Sequence, residues 1–144
     1  MKKTIKELNE FAIASAKYLA KNPAETKFSY AIKKVQKRIE KASEQVKENY
    51  NEELYDLNVK YASVDEKGNL MYEVETTIEA NGSKKEVPTQ NLKFTAEKFI
   101  EKNKVQRELG KKLLATEIEF EAYIATEAPE LTEEETETFK DFVL

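Results

Sequence analysis

Residues 32–61, IKKVQKRIEKASEQVKENYNEELYDLNVKY, place Ile32, Val35, Ile39, Ala42, Val46, Tyr50, Leu54, Leu57 and Tyr61 on a single apolar stripe. The stripe takes eight steps over 29 positions, about 3.6 per step, which is the period of a straight α-helix. A coiled coil would hold 3.5. The consecutive four-residue steps Val46, Tyr50, Leu54 break a heptad, so the pattern predicts one long helix over about 30–62, packed within its own domain. At 1.5 Å per residue the stripe runs roughly 40 Å, and a helix of that length needs other elements or another chain to cover its apolar face.

On the N-terminal side, Thr4 and Glu7 form a capping box, and Ile5, Leu8, Ala12, Ala16 and Leu19 recur at helical spacing up to about Lys21. Asn22-Pro23 breaks that helix, and residues 24–29 read as an extended connection. On the C-terminal side, Asp65-Glu66-Lys67-Gly68-Asn69 is a turn. Leu70, Tyr72, Val74, Thr76 and Ile78 then alternate with Met71, Glu73, Glu75, Thr77 and Glu79 as a half-buried strand. Asn81-Gly82 signals a two-residue hairpin, with a return strand from Lys84 to Val87 that Pro88 stops and with Lys84 and Lys85 across from the glutamates. Thr95 caps a helix to about Leu114. Glu117, Glu119, Glu121 and Tyr123 alternate with Ile118, Phe120, Ala122 and Ile124 as a further strand of the hairpin sheet. After Pro129, Thr132 and Glu135 box the start of a short helix bearing Phe139, Phe142 and Val143. The expectation is a single α+β domain over 1–144, with about four helices on a small, mainly antiparallel sheet made of hairpin 70–87 and strand 117–124.

The chain contains no histidine and no cysteine, so the commonest general base, metal ligand and soft nucleophile are all missing. No Walker A loop, dinucleotide fingerprint, nucleophile elbow or EF-hand loop is present, and the reading assigns no catalytic, cofactor or metal residue. A net charge of −4 from 24 basic and 28 acidic residues is too balanced for a nucleic-acid or membrane-surface protein. The basic start Met1-Lys2-Lys3 is not followed by an apolar run, and no stretch approaches the roughly 18 apolar residues of a bilayer span. The zero cysteine count is compatible with a reducing cytoplasm.

What remains is interaction chemistry. Lys33, Lys34, Lys37, Arg38 and Lys41 lie on the long helix away from its stripe, and the same helix turns acidic at Glu44, Glu48, Glu52, Glu53 and Asp56. That order opposes the macrodipole and suits an antiparallel partner, including a second copy, so a homo-oligomer is expected. From Glu117 to Asp141 ten acidic residues stand against one lysine, with Glu117, Glu119 and Glu121 on one strand face. Tyr18, Tyr55 and Tyr123 fall off the main apolar faces and are candidate contact residues, whereas Phe28, Tyr30, Tyr50, Tyr61 and Tyr72 sit at core periodicities. The candidate interaction surface is therefore Lys33, Lys37, Arg38, Lys41, Tyr55, Glu117, Glu119, Glu121 and Tyr123.

Five stretches carry a resemblance: Tyr30-Ala31-Ile32-Lys33-Lys34, the helix end Lys60-Tyr61, Asp65-Glu66-Lys67-Gly68-Asn69, Leu113-Leu114 leading into Glu117-Ile118-Glu119-Phe120, and Leu131-Thr132 to Phe139. Over residues 25–144 this order resembles a family of small uncharacterised proteins of tailed bacteriophages and prophages, from which the chain departs in its longer Asn81-Gly82 hairpin. The family has no established activity, so no residue role transfers. The resemblance implies a viral setting in the cytoplasm of a bacterial host, or in the virion. Two functions fit: a non-catalytic virion or assembly component, or a host-directed inhibitor that binds a bacterial protein through its acidic surface.

Overall fold

The computed structural model describes residues 1–144 and consists of β1 (Lys2–Thr4), α1 (Ile5–Lys21), α2 (Lys27–Tyr61), β2 (Tyr72–Ile78), β3 (Lys84–Leu92), α3 (Ala96–Ala115), β4 (Glu117–Glu119) and α4 (Glu133–Phe139). It is an α+β fold with four helices and two separate two-stranded antiparallel sheets, β1-β4 and β2-β3. The chain divides into two compact units, Met1–Glu48 with Lys111–Leu144 and Asn49–Gly110, and α2 and α3 each contribute residues to both.

The first unit holds the aliphatic and aromatic core. Its α1 begins as expected: the Thr4 hydroxyl accepts from the Glu7 backbone N–H at 3.2 Å, and the Glu7 carboxylate accepts from the Thr4 N–H at 3.1 Å. Ile5, Leu8, Phe11, Ser15 and Tyr18 form its buried face, against Phe28, Ile32, Val35 and Ile39 of α2. Phe139 is the hub. Its ring meets Phe11, Tyr18 and Phe28 edge-on at centroid distances of 5.9, 5.9 and 5.6 Å, while Phe142 stacks on Phe11 at 4.3 Å. Tyr18 is thus a core residue and not a contact residue, because burying its ring against Phe28 of α2 and Phe139 of α4 removes more apolar surface than a solvent position would. The last helix ends at Phe139, earlier than the apolar run suggests. Asp141, at φ 70°, turns the chain so that Phe142 and Val143 still fold back into the core.

The expected strand 117–124 is corrected in extent and in partner. Its ladder covers only Glu117–Glu119 and pairs with β1, with Lys2 across from Glu119 and Thr4 across from Glu117; it does not join the hairpin. Residues 120–125 instead bond to Met1, Phe142 and Val143, where Phe120, Tyr123 and Ala125 donate backbone N–H groups to their three carbonyls. The short β1 escapes sequence reading because three residues carry no periodicity. Lys2, and not Lys84 or Lys85, faces the β4 glutamates.

The second unit is built around the β2–β3 ribbon. Asp65 shapes the turn before it by accepting from the N–H groups of Lys67 and Asn69, both at 2.9 Å. The hairpin loop has three residues rather than two: the Glu79 N–H donates to Ser83 O, the Gly82 N–H donates to Glu79 O, and Gly82 at φ 82° supplies the left-handed bulge position. Pro88 does not stop the return strand. It pairs with Val74, since a two-stranded ribbon leaves outward-facing sites where a missing N–H costs no ladder bond. The register then slips opposite Glu73, where the Thr89 hydroxyl donates to Glu73 O at 2.8 Å. Lys84 lies across from Ile78 and Lys85 from Thr77, so neither stands opposite a glutamate. The alternation of β2 is real, but its apolar face is not half-buried: every residue from Tyr72 to Ile78 is exposed, Val74 at 54% and Ile78 at 75%. Leu57 is the one buried apolar residue of this unit.

Candidate functional site

In the first unit the candidate residues gather where α2 meets segment 120–125. Thr26 and Ser29 cap the start of α2 reciprocally, with the Ser29 N–H donating to the Thr26 hydroxyl at 3.0 Å and the Thr26 N–H to the Ser29 hydroxyl at 2.8 Å. From the next turns, Lys34 holds its ammonium 4.7 Å from the Tyr123 ring centroid, and the Tyr30 ring meets Tyr123 edge-on at 5.8 Å. Arg38 donates from one guanidinium nitrogen to Glu121 O at 3.1 Å and Ala122 O at 3.0 Å. Arg38 and Tyr123 are therefore brought together, and their work is internal: the guanidinium satisfies two carbonyls of a segment that has no strand partner there. Tyr30, at a core periodicity in the sequence, is exposed beside them, because its position lies one step off the buried Phe28–Ile32 face.

The remaining candidates stay apart. Lys33, Lys37 and Lys41 are exposed along α2, and only Lys33 has a carboxylate nearby, Glu25 at 3.9 Å. Glu117, Glu119 and Glu121 are exposed around β4, and Tyr55 belongs to the second unit, with 60% of its surface exposed. No group of three or more carboxylates converges in a way that could hold a metal ion. No helix is long and apolar enough to cross a membrane.

Sequence reasoning missed a second place. In the Asn49–Gly110 unit, a cleft of about 720 Å³ is lined by α2 (Tyr55, Asn58), the ribbon around its register slip, and the Phe94–Lys102 stretch leading into α3. Lys102 is 9% exposed, and its ammonium sits 4.9 Å from the Phe94 ring centroid and 4.8 Å from that of Phe99. It takes part in none of the ion pairs of the protein. The amide oxygen of Asn58, in the same wall, is buried with no donor. The available signal was the three-residue spacing of Phe99 and Lys102, which puts ring and ammonium on one helix face.

Three carboxyl or phenol groups depart from their ordinary ionisation. The backbone N–H of Thr4 holds Glu7 below the usual carboxylate range. The backbone N–H of Asn69 does the same for Asp65, and burial raises the Tyr18 phenol. All three report local structure, and none lies in the cleft that Lys102 lines. The chain matches no protein-family model, no curated protein and no solved structure.

Proposed function

We propose that the protein is a non-catalytic protein-interaction protein, and that its setting is a bacterial virus, as a virion or assembly component. The observation that carries this reading is the open β2–β3 ribbon: a nine-residue strand and a seven-residue strand with both outer edges unpaired and with Val74, Ile78 and Val87 exposed. Isolated two-stranded ribbons are marginal in water, and long unprotected edges are liabilities unless a partner covers them. The viral setting rests on the resemblance alone. Self-association through α2, whose charge order favours an antiparallel copy, belongs to the same reading.

A host-directed inhibitor is the second reading. It is favoured by the exposed carboxylates of Glu130, Glu133, Glu134 and Glu137, a one-signed surface suited to steering toward a basic bacterial protein. Affinity capture of the tagged protein from infected cells, with a salt wash and mass spectrometry, separates the two. Recovery of capsid or tail proteins supports assembly, recovery of one host protein supports inhibition, and recovery of neither overturns both.

A further inference from the structure

The cleft of the Asn49–Gly110 unit contains a lysine that forms no ion pair. The Lys102 stem is largely buried, its ammonium still reaches solvent, and its protein partners are the two ring faces of Phe94 and Phe99, which attract a cation but neutralise nothing. Tyr55 and Tyr72 line the same cleft with ring surface still exposed. The strand beside them is held out of register by the Thr89 hydroxyl, so the wall is shaped by a specific bond.

We propose that this cleft binds a monocarboxylate carrying an aromatic ring, with Lys102 as the counter-ion of the carboxylate and Tyr55 and Tyr72 packing against the ring. One ammonium matches one negative charge. Glu73 also lines the cleft, and its repulsion, which grows with the charge of the ligand, is smaller for a singly charged anion than for a phosphate. The same chemistry is offered by a free arylalkanoic acid and by a glutamate beside a phenylalanine in a partner's chain, and the inference holds independently of the assembly reading.

The test is titration of the full-length ¹⁵N-labelled protein with 3-phenylpropanoate, with the neutral 3-phenylpropanol and with acetyl-Glu-Phe-amide. Saturable amide shifts confined to residues 55–58, 72–74 and 89–102 are expected for the acid. The alcohol should bind about tenfold or more weakly, the loss typical of one charge-assisted contact. Lys102→Met, close in length and apolar, should reduce acid binding by the same factor and leave alcohol binding unchanged. If Lys102→Met fails to fold, the acid-to-alcohol ratio in the unaltered protein decides alone. Tighter binding of the peptide than of 3-phenylpropanoate places the carboxylate on a partner's side chain, and the reverse order places it on a free acid; both support the site. Equal binding of acid and alcohol, scattered shifts or no saturation at millimolar ligand overturns it.

Discussion

Two buried serines show how little a residue type reveals without its partner. Ser43 is fully buried and donates its hydroxyl to Ile39 O at 2.7 Å, one turn back along α2. Ser15 is equally buried, among the residues α1 turns toward the core, and its hydroxyl has no partner. An orphaned hydroxyl in an apolar core costs about 1–3 kcal/mol, and alanine is also the better helix former. Ser15→Ala should therefore raise stability by about 1 kcal/mol, whereas Ser43→Ala should change it by less, and urea denaturation of the two variants side by side checks the ordering. Phe139 lies at the opposite extreme. It is fully buried and makes edge contacts with Phe11, Tyr18 and Phe28, so Phe139→Ala should cost about 3–5 kcal/mol and lower the urea midpoint accordingly. The sequence marked Phe139 as apolar, but the convergence of α1 and α2 on its ring is a tertiary fact that no local pattern contains.

At the scale of elements, legibility followed periodicity and capping. The α1 and α4 starts were visible because each capping box is a local pair three residues apart, and both boxes form as the spacing predicts. The α1 box also has a pH signature. Glu7 is held below its unfolded value near 4.5, so it stabilises the fold fully above that pH, and the contribution is lost as the pH falls through the lowered folded-state value. Its side chain is 45% exposed, and solvent screening keeps the effect to a few tenths of a kcal/mol. Glu7→Gln should accordingly narrow the stability difference between pH 7 and pH 3, read from thermal melts at the two pH values. The strands were harder to place than the helices. Alternation located β2 and the start of β4 but overran β4 by five residues, and it cannot say which strand pairs with which or whether an apolar face is covered. Hence β4 went to β1 and not to the hairpin, and the apolar side chains of the ribbon remained exposed. The Lys102 cleft was invisible for a related reason: a lysine on a helix reads as fully solvated until the rings of Phe94 and Phe99 are seen to flank its ammonium.

At the scale of the whole molecule, the distribution of charge along α2 gives the most direct prediction about association. The helix carries Lys33, Lys34, Lys37, Arg38 and Lys41 in its first half and Glu44, Glu48, Glu52, Glu53 and Asp56 in its second, an order that sets like charge against each end of its own dipole. Two of the cations are already engaged, Lys34 over Tyr123 and Arg38 on the Glu121 and Ala122 carbonyls. Lys33, Lys37 and Lys41 remain exposed toward solvent, as do Glu44, Glu48, Glu52, Glu53 and Asp56. An antiparallel second copy would set the exposed basic turns against the acidic ones, and pairs of this kind at the surface are individually weak and salt-sensitive. Association by this route should therefore appear at low ionic strength and high protein concentration, and should weaken on going from about 20 to about 500 mM salt as the screening length shrinks to a few ångströms. Sedimentation equilibrium at the two salt concentrations measures it. The double reversal Lys37→Glu, Lys41→Glu should abolish the low-salt dimer without lowering the melting temperature, because neither side chain packs against the core. A protein that remains monomeric at low salt removes α2 from the assembly reading and leaves the open β2–β3 ribbon as the surface through which a partner would have to bind.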